Sequence, residues 1–139
     1  MTIHVIDASV VAKWFFNEVL CEESREVLRR EYCLHAPDFL LLELDSVFLK
    51  RIRRGDISPE DGNAARSMLR QIPITCHTFS EFLDRAYEIA ALTRQSVYDS
   101  PYIALALLLD SRMITADGRL YGALRNGPFK KHLLWVGDI

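Results

Sequence analysis

The sequence is poor in the residues that staple or anchor small domains. Its 139 residues hold three cysteines, Cys21, Cys33 and Cys76, with no CxxC pair. An odd, widely spaced set argues against a disulfide framework or a cysteine-ligated zinc site, and fits a reducing cytosol. The four histidines, His4, His35, His77 and His132, show neither HxxH nor HxxxH spacing, so no histidine zinc site follows. Neither sign of charge dominates: the net charge of −2 argues against a large non-specific nucleic-acid surface and leaves room only for a local basic patch. The longest apolar run falls within Tyr102 to Leu109, well short of the ~20 residues of a membrane span. The N-terminus has no basic lead and Asp7 interrupts its apolar run, so no signal peptide is expected. Repeats, low-complexity segments and linkers are absent. The expectation is one soluble cytoplasmic domain over residues 1–139, long enough to bury roughly two-thirds of its unfolded surface.

What is present is an alternation of short apolar runs with helical segments. Ile3 to Ile6 reads as a buried strand, followed by a helix from about Val10 to Phe16 with Ser9 as N-cap. A more polar helix follows over 22–31, then a short strand over Leu34 to Ala36. Pro37 opens a helix over 38–54, which ends in the basic turn KRIRRG before Gly55. Ser58-Pro-Glu-Asp61 reads as a reciprocal cap for a helix to about Gln71, and Thr78-Phe-Ser-Glu81 as a second capping box for a helix to about Thr93. Strands are expected at 74–76, 113–115 and 133–136, and helices at 101–109 and 119–125. The helix over Tyr102 to Leu109 is apolar nearly all round, so it should be buried. This alternation predicts a three-layer α/β/α sandwich around a parallel sheet.

Two acids follow putative strands, where such folds place ligands, one precedes a helix, and one projects from a long helix. Asp7 follows the first strand, and Asp117, in TADGRL, follows the fourth. Each also has an ordinary use, Asp7 as a turn or cap residue and Asp117 in an Asp-Gly turn. Asp99 precedes the buried helix; Ser100 before Pro101 is the better cap, which frees the Asp99 carboxylate. The helix over 38–54 offers two acids. Leu41, Leu44, Phe48 and Ile52 centre its apolar stripe; Asp45 falls within the stripe and Glu43 on its boundary, so periodicity does not choose between them. Carboxylates brought together repel unless a cation joins them, and oxygen ligands without His or Cys select Mg²⁺ or Mn²⁺. The expectation is that these acids converge closely enough to cage such an ion.

Four blocks in order resemble the PIN-domain ribonucleases, specifically the VapC-like toxins of toxin–antitoxin modules. IHVIDASVVAKWFFNE resembles the family's opening, with Asp7, Ser9 and Lys13; APDFLLLELDSVFLKRIRRGDIS resembles its second block; SVYDSPYIALAL its third, with Asp99; and MITADGRL its fourth, with Thr115 and Asp117. The resemblance assigns Glu43, rather than Asp45, as the second acid. Asp45-Ser46 and Ser100-Pro101 depart from the usual pattern, and Asp45 is free to pair with a base such as Lys13. The resemblance implies a sheet in the order 3-2-1-4-5 and Mg²⁺- or Mn²⁺-dependent endonucleolytic cleavage of RNA. It also implies a small antitoxin partner and a homodimer. Asp7 and Asp99 would lie nearest the metal, Glu43 and Asp117 would hold a second ion or orient water, and Ser9 and Thr115 would support them. Lys13 and Arg119 would contact substrate, with Arg51, Arg53, Arg54 and Arg125 as further basic candidates and Trp14 and Tyr98 as candidates for stacking on bases.

Two other readings compete. A phospho-accepting receiver domain shares the doubly wound architecture but wants adjacent acids after the first strand and a lysine at the end of the last; VIDAS has one Asp, and Leu133 to Val136 has no Lys. A degenerate PIN domain would bind RNA or a protein without cleaving, and the intact set of four acids speaks against it.

Overall fold

The computed structural model describes residues 2–139 and is organised on a five-stranded sheet in the order β3-β2-β1-β4-β5, every pairing parallel. The strands are β1 (Thr2–Ile6), β2 (Tyr32–Pro37), β3 (Ile74–His77), β4 (Arg112–Thr115) and β5 (Leu133–Trp135). The helices are α1 (Ala8–Lys13), α2 (Cys21–Arg29), α3 (Leu40–Arg53), α4 (Pro59–Gln71), α5 (Leu83–Thr93), α6 (Ser100–Leu108) and α7 (Gly118–Leu124). This is the expected sheet order. The chain steps outward from β1 to β3, then crosses back to β4 and β5. Right-handed crossovers in opposite directions place the intervening helices on opposite faces. The first four helices accordingly pack among themselves, while α5 packs on α6.

The centre of the sheet sets the core. Val5, Ile6, Met113 and Ile114 are fully buried, as are Ile103, Leu105 and Ala106 of α6. Every residue of α6 from Ser100 to Ala106 is buried, as an all-round apolar helix laid across β1, β2 and β4 must be. At about 25 cal/mol per Å² of apolar surface removed from water, each fully buried Val, Ile, Leu or Met among these contributes roughly 1.5–3 kcal/mol.

Several local expectations were corrected by the fold. Asp7, not Ser9, caps α1: its carboxylate accepts from the Ser9 and Val10 amides. Pro37 does not open a helix but ends β2, an extended conformation its ring allows. The Thr78–Glu81 capping box does not form. Residues 79–82 make a 3₁₀ turn whose Phe79 amide is taken by Asp38, and α5 begins only at Leu83. Ser58 does cap α4 by accepting from the Asp61 amide at 3.0 Å.

Candidate active site

β1 and β4 are neighbours, and the loops leaving their carboxyl ends are laced together. The Asp7 amide donates to the Ile114 carbonyl at 3.3 Å. The Ser9 hydroxyl donates to Asp7 Oδ1, accepts from the Ala116 amide at 2.9 Å and lies 3.4 Å from Thr115 Oγ1. Thr115 Oγ1 in turn accepts from the Asp117 amide at 3.1 Å. Ser9 and Thr115 therefore tie both acid-bearing loops to one another, and the two carboxylates cannot drift apart independently.

Asp99 occupies the position before α6, but its side chain makes no capping bond. Ser100 is the first helical residue rather than the cap, and its hydroxyl turns back to the Ser96 carbonyl at 2.8 Å. Ser96 Oγ accepts from the Tyr98 and Asp99 amides, fixing the approach to the helix. Asp117 caps α7 through Oδ1, which accepts from the Leu120 amide at 3.1 Å, while Oδ2 has no partner among the described residues. Glu43 lies in the first turn of α3, and its Oε1 accepts a hydrogen bond from the Tyr102 phenol of α6.

These four acids feel one another. Burial pushes the Asp7 carboxyl up to about 6, against the pull of hydrogen bonds from Ser9, Thr115 and Val10, and Asp117 adds to the rise. Burial likewise pushes Glu43 up to about 7, against the Tyr102 bond, with Asp7 and Asp99 adding repulsion. Asp99 is raised by burial and by Asp117, and is relieved by the hydroxyl of Ser96 and the charge of Arg119. Among the described residues none of the four has a Lys, Arg or His within 4.0 Å. Nor do any three His, Cys, Asp or Glu side chains converge, as they stand, on a single coordination sphere. The acids thus share one edge and one field without enclosing an ion in this arrangement. The donor set nevertheless fits a hard divalent cation: one buried and three half-buried carboxyl groups, mutually repulsive, with no Lys, Arg or His paired to them among the described residues.

The other candidates separate clearly. Asp45 points to α4, where Arg66 Nε and Nη2 grip it at 2.7 and 3.1 Å, so it pairs with Arg66 and not with Lys13. Lys13 pairs with Glu18 at 3.2 Å, and Glu18 also holds Arg51 at 2.6 Å. Arg51 lies over the Phe16 ring at 4.2 Å, so neither cation is free. Trp14 is buried and donates its indole N–H to the Ser24 carbonyl at 2.8 Å, which excludes it from stacking on bases. Tyr98, beside Asp99, is 69 % exposed. Tyr102 was missed as a site residue: within SPYIALAL it reads as one more apolar core position, and only the fold shows that its hydroxyl reaches Glu43.

This architecture, with acids following β1 and β4 and preceding α6, defines a class. The PIN-domain family model matches residues 4–123, and the chain belongs to that family. Among curated relatives, it is similar to Ribonuclease VapC9 of Mycobacterium tuberculosis, at 30% identity over 116 residues covering 84% of this chain and 87% of that protein. It is also similar to Ribonuclease VapC3 of Pyrobaculum aerophilum, at 27% identity over 121 residues covering 84% and 90%. Among solved structures, M. tuberculosis VapC20, described as a sarcin–ricin loop cleaving toxin, superposes with a TM-score of 0.66 at 13% identity over 87% of this chain and 95% of that one. A toxin–antitoxin complex from Klebsiella pneumoniae gives 0.64 at 13% identity over 98% and 99%. Among the described residues no helix is long and apolar enough to cross a membrane.

Proposed function

We propose that this protein is a divalent-metal-dependent endoribonuclease acting as the toxin of a toxin–antitoxin pair. One observation carries the reading: four carboxyl groups that feel one another's charge at the carboxyl edge of the sheet, none of them ion-paired with a Lys, Arg or His among the described residues. The ribonuclease relatives supply the substrate class and the reaction. Asp7 and Asp99 would hold Mg²⁺ or Mn²⁺, with Glu43 and Asp117 completing the set. When bound, the ion supplies charge neutralisation at the phosphodiester and a water of lowered pKa.

The chain's own residues do the rest. The Ser9–Thr115 clasp keeps Asp7 and Asp117 at a fixed separation. Glu43, held by the Tyr102 phenol, would complete the metal set or orient the attacking water. Water attacks phosphorus, the P–O3′ bond breaks in line, and a 5′-phosphate and a 3′-hydroxyl result. Exposed Arg119, whose charge reaches Asp99, would meet a phosphate, and exposed Tyr98 would stack on a base. Lys13, paired with Glu18, would reach substrate only by exchanging that partner. Tyr87 and Leu92 of α5 and Leu108 of α6 are 65–69 % exposed on two helices that pack together, apolar surface suited to cover by an antitoxin or a second copy of the chain.

The test is cleavage of mixed RNA by purified protein in Mn²⁺, alongside Asp7→Asn. Cleavage should disappear in the variant while RNA binding persists. Activity that survives Asp7→Asn would point to a contaminating nuclease and overturn the assignment. RNA binding without cleavage in both proteins would favour a degenerate, non-cleaving domain.

A further inference from the structure

A metal-binding glutamate on a helix needs more than proximity, because its side chain has three rotatable bonds and each unfixed rotor weakens the site. Glu43 has no cationic partner among the described residues to fix it. Its Oε1 is instead engaged by the hydroxyl of Tyr102. Tyr102 is 2 % exposed, and that bond is the phenol's one hydrogen bond among the described residues. Its ring is held edge-on to Phe39 at 5.7 Å and 87°. The Phe39 carbonyl accepts from the Glu43 amide at 3.0 Å, so one cluster secures both the backbone and the side chain of Glu43. The anchoring ring rides on α6, the helix that Asp99 precedes, so the same helix sets the positions of Asp99 and of Glu43. Oε2 has no partner among the described residues.

From this geometry we infer that Tyr102 is a positioning residue: it occupies Glu43 Oε1 and so presents Oε2 alone to the divalent cation. The inference rests on the metal-dependent reading above and specifies how one of its ligands is held. A merely structural tyrosine would also seek a partner for a buried hydroxyl, and its loss would then lower stability without selectively altering metal affinity.

Tyr102→Phe keeps the ring and its packing and removes only the hydroxyl. The measurement is calorimetric titration of EDTA-treated protein with Mn²⁺ alone, in the wild type, Tyr102→Phe, Glu43→Gln and the double variant. Loss of a partner that orients a metal ligand typically weakens affinity about 10–100-fold. Tyr102→Phe should weaken Mn²⁺ binding within that range, and should have no further effect in the Glu43→Gln background, because it acts through that carboxylate. RNA cleavage by Tyr102→Phe should need more Mn²⁺ for half-maximal rate, with kcat recovered at saturation. Wild-type Mn²⁺ affinity in Tyr102→Phe would overturn the inference and leave the nuclease reading standing if the wild type cleaves. An equal loss in both backgrounds would also overturn it, since the tyrosine would then act through the fold at large. A wild type that neither binds Mn²⁺ nor cleaves would remove both readings together.

Discussion

Replacing Asp7 by Asn should abolish cleavage and yet make the metal-free protein more stable. Burial raises the Asp7 carboxyl from 3.8 to about 6 in the folded state. At about 1.4 kcal/mol per pKa unit, ionising it inside the fold costs about 3 kcal/mol. The sign follows from the direction of the change. Below the unfolded value of 3.8 both states carry the proton and no penalty exists. Between there and about 6 the unfolded chain ionises first and stability falls, and above about 6 the penalty is complete. Asparagine carries no charge and still caps α1 through its side-chain oxygen, so little helix stability is lost. At pH 8 in EDTA, Asp7→Asn should therefore melt up to about 12 °C higher than the wild type, taking roughly 2–4 °C per kcal/mol. The advantage should shrink as pH is lowered from 6 and vanish near 4. Mn²⁺ should reverse the order by stabilising the wild type alone. Thermal melts across pH, with and without Mn²⁺, make the test. A variant less stable than the wild type at pH 8 in EDTA would show that the fold holds the Asp7 carboxylate favourably, and the reasoning would fail.

Asp45→Asn removes a partly exposed pair with Arg66, so urea unfolding should register a loss of at most about 1 kcal/mol while RNA cleavage stays at the wild-type rate; a collapse in rate would return Asp45 to the site. Glu43→Gln should reduce cleavage at least a hundredfold with the fold retained, as read by circular dichroism and single-turnover kinetics. Leu105→Ala opens a void beneath the sheet at a fully buried position and should cost about 2–5 kcal/mol in urea denaturation. Arg119→Ala should raise the apparent Kd for RNA severalfold and lessen its salt dependence, measured with Asp7→Asn as the non-cleaving background.

The architecture was legible because its signals are global. Strand runs alternating with helices leave few topologies, and the all-round apolar α6 is buried whatever its exact ends. Local features were read less well because single residues had two adequate uses. Ser9 has the chemistry of a cap, yet Asp7 stands one residue before α1 and takes the role, releasing Ser9 to clasp the two loops. Pro37 suits the first turn of a helix and the end of a strand equally, and pairing with His77 of β3 decides for the strand. Periodicity could not separate Glu43 from Asp45, because the deciding contacts come from elsewhere in the chain: Tyr102 reaches one, and Arg66 takes the other. Asp7, Asp99 and Asp117 stood out by position, after a strand or before a helix, whereas Glu43 was singled out only by the family resemblance. Their repulsion, and the phenol that fixes one of them, required the fold.

The most direct test is a crystal grown or soaked in Mn²⁺, with anomalous diffraction locating the ion. The expected peak lies at bonding distance from carboxyl oxygens of Asp7 and Asp99, with Glu43 and Asp117 turned toward it. Mn²⁺ bound elsewhere, in a crystal of protein that cleaves RNA, would contradict the assignment of these carboxylates as the metal site.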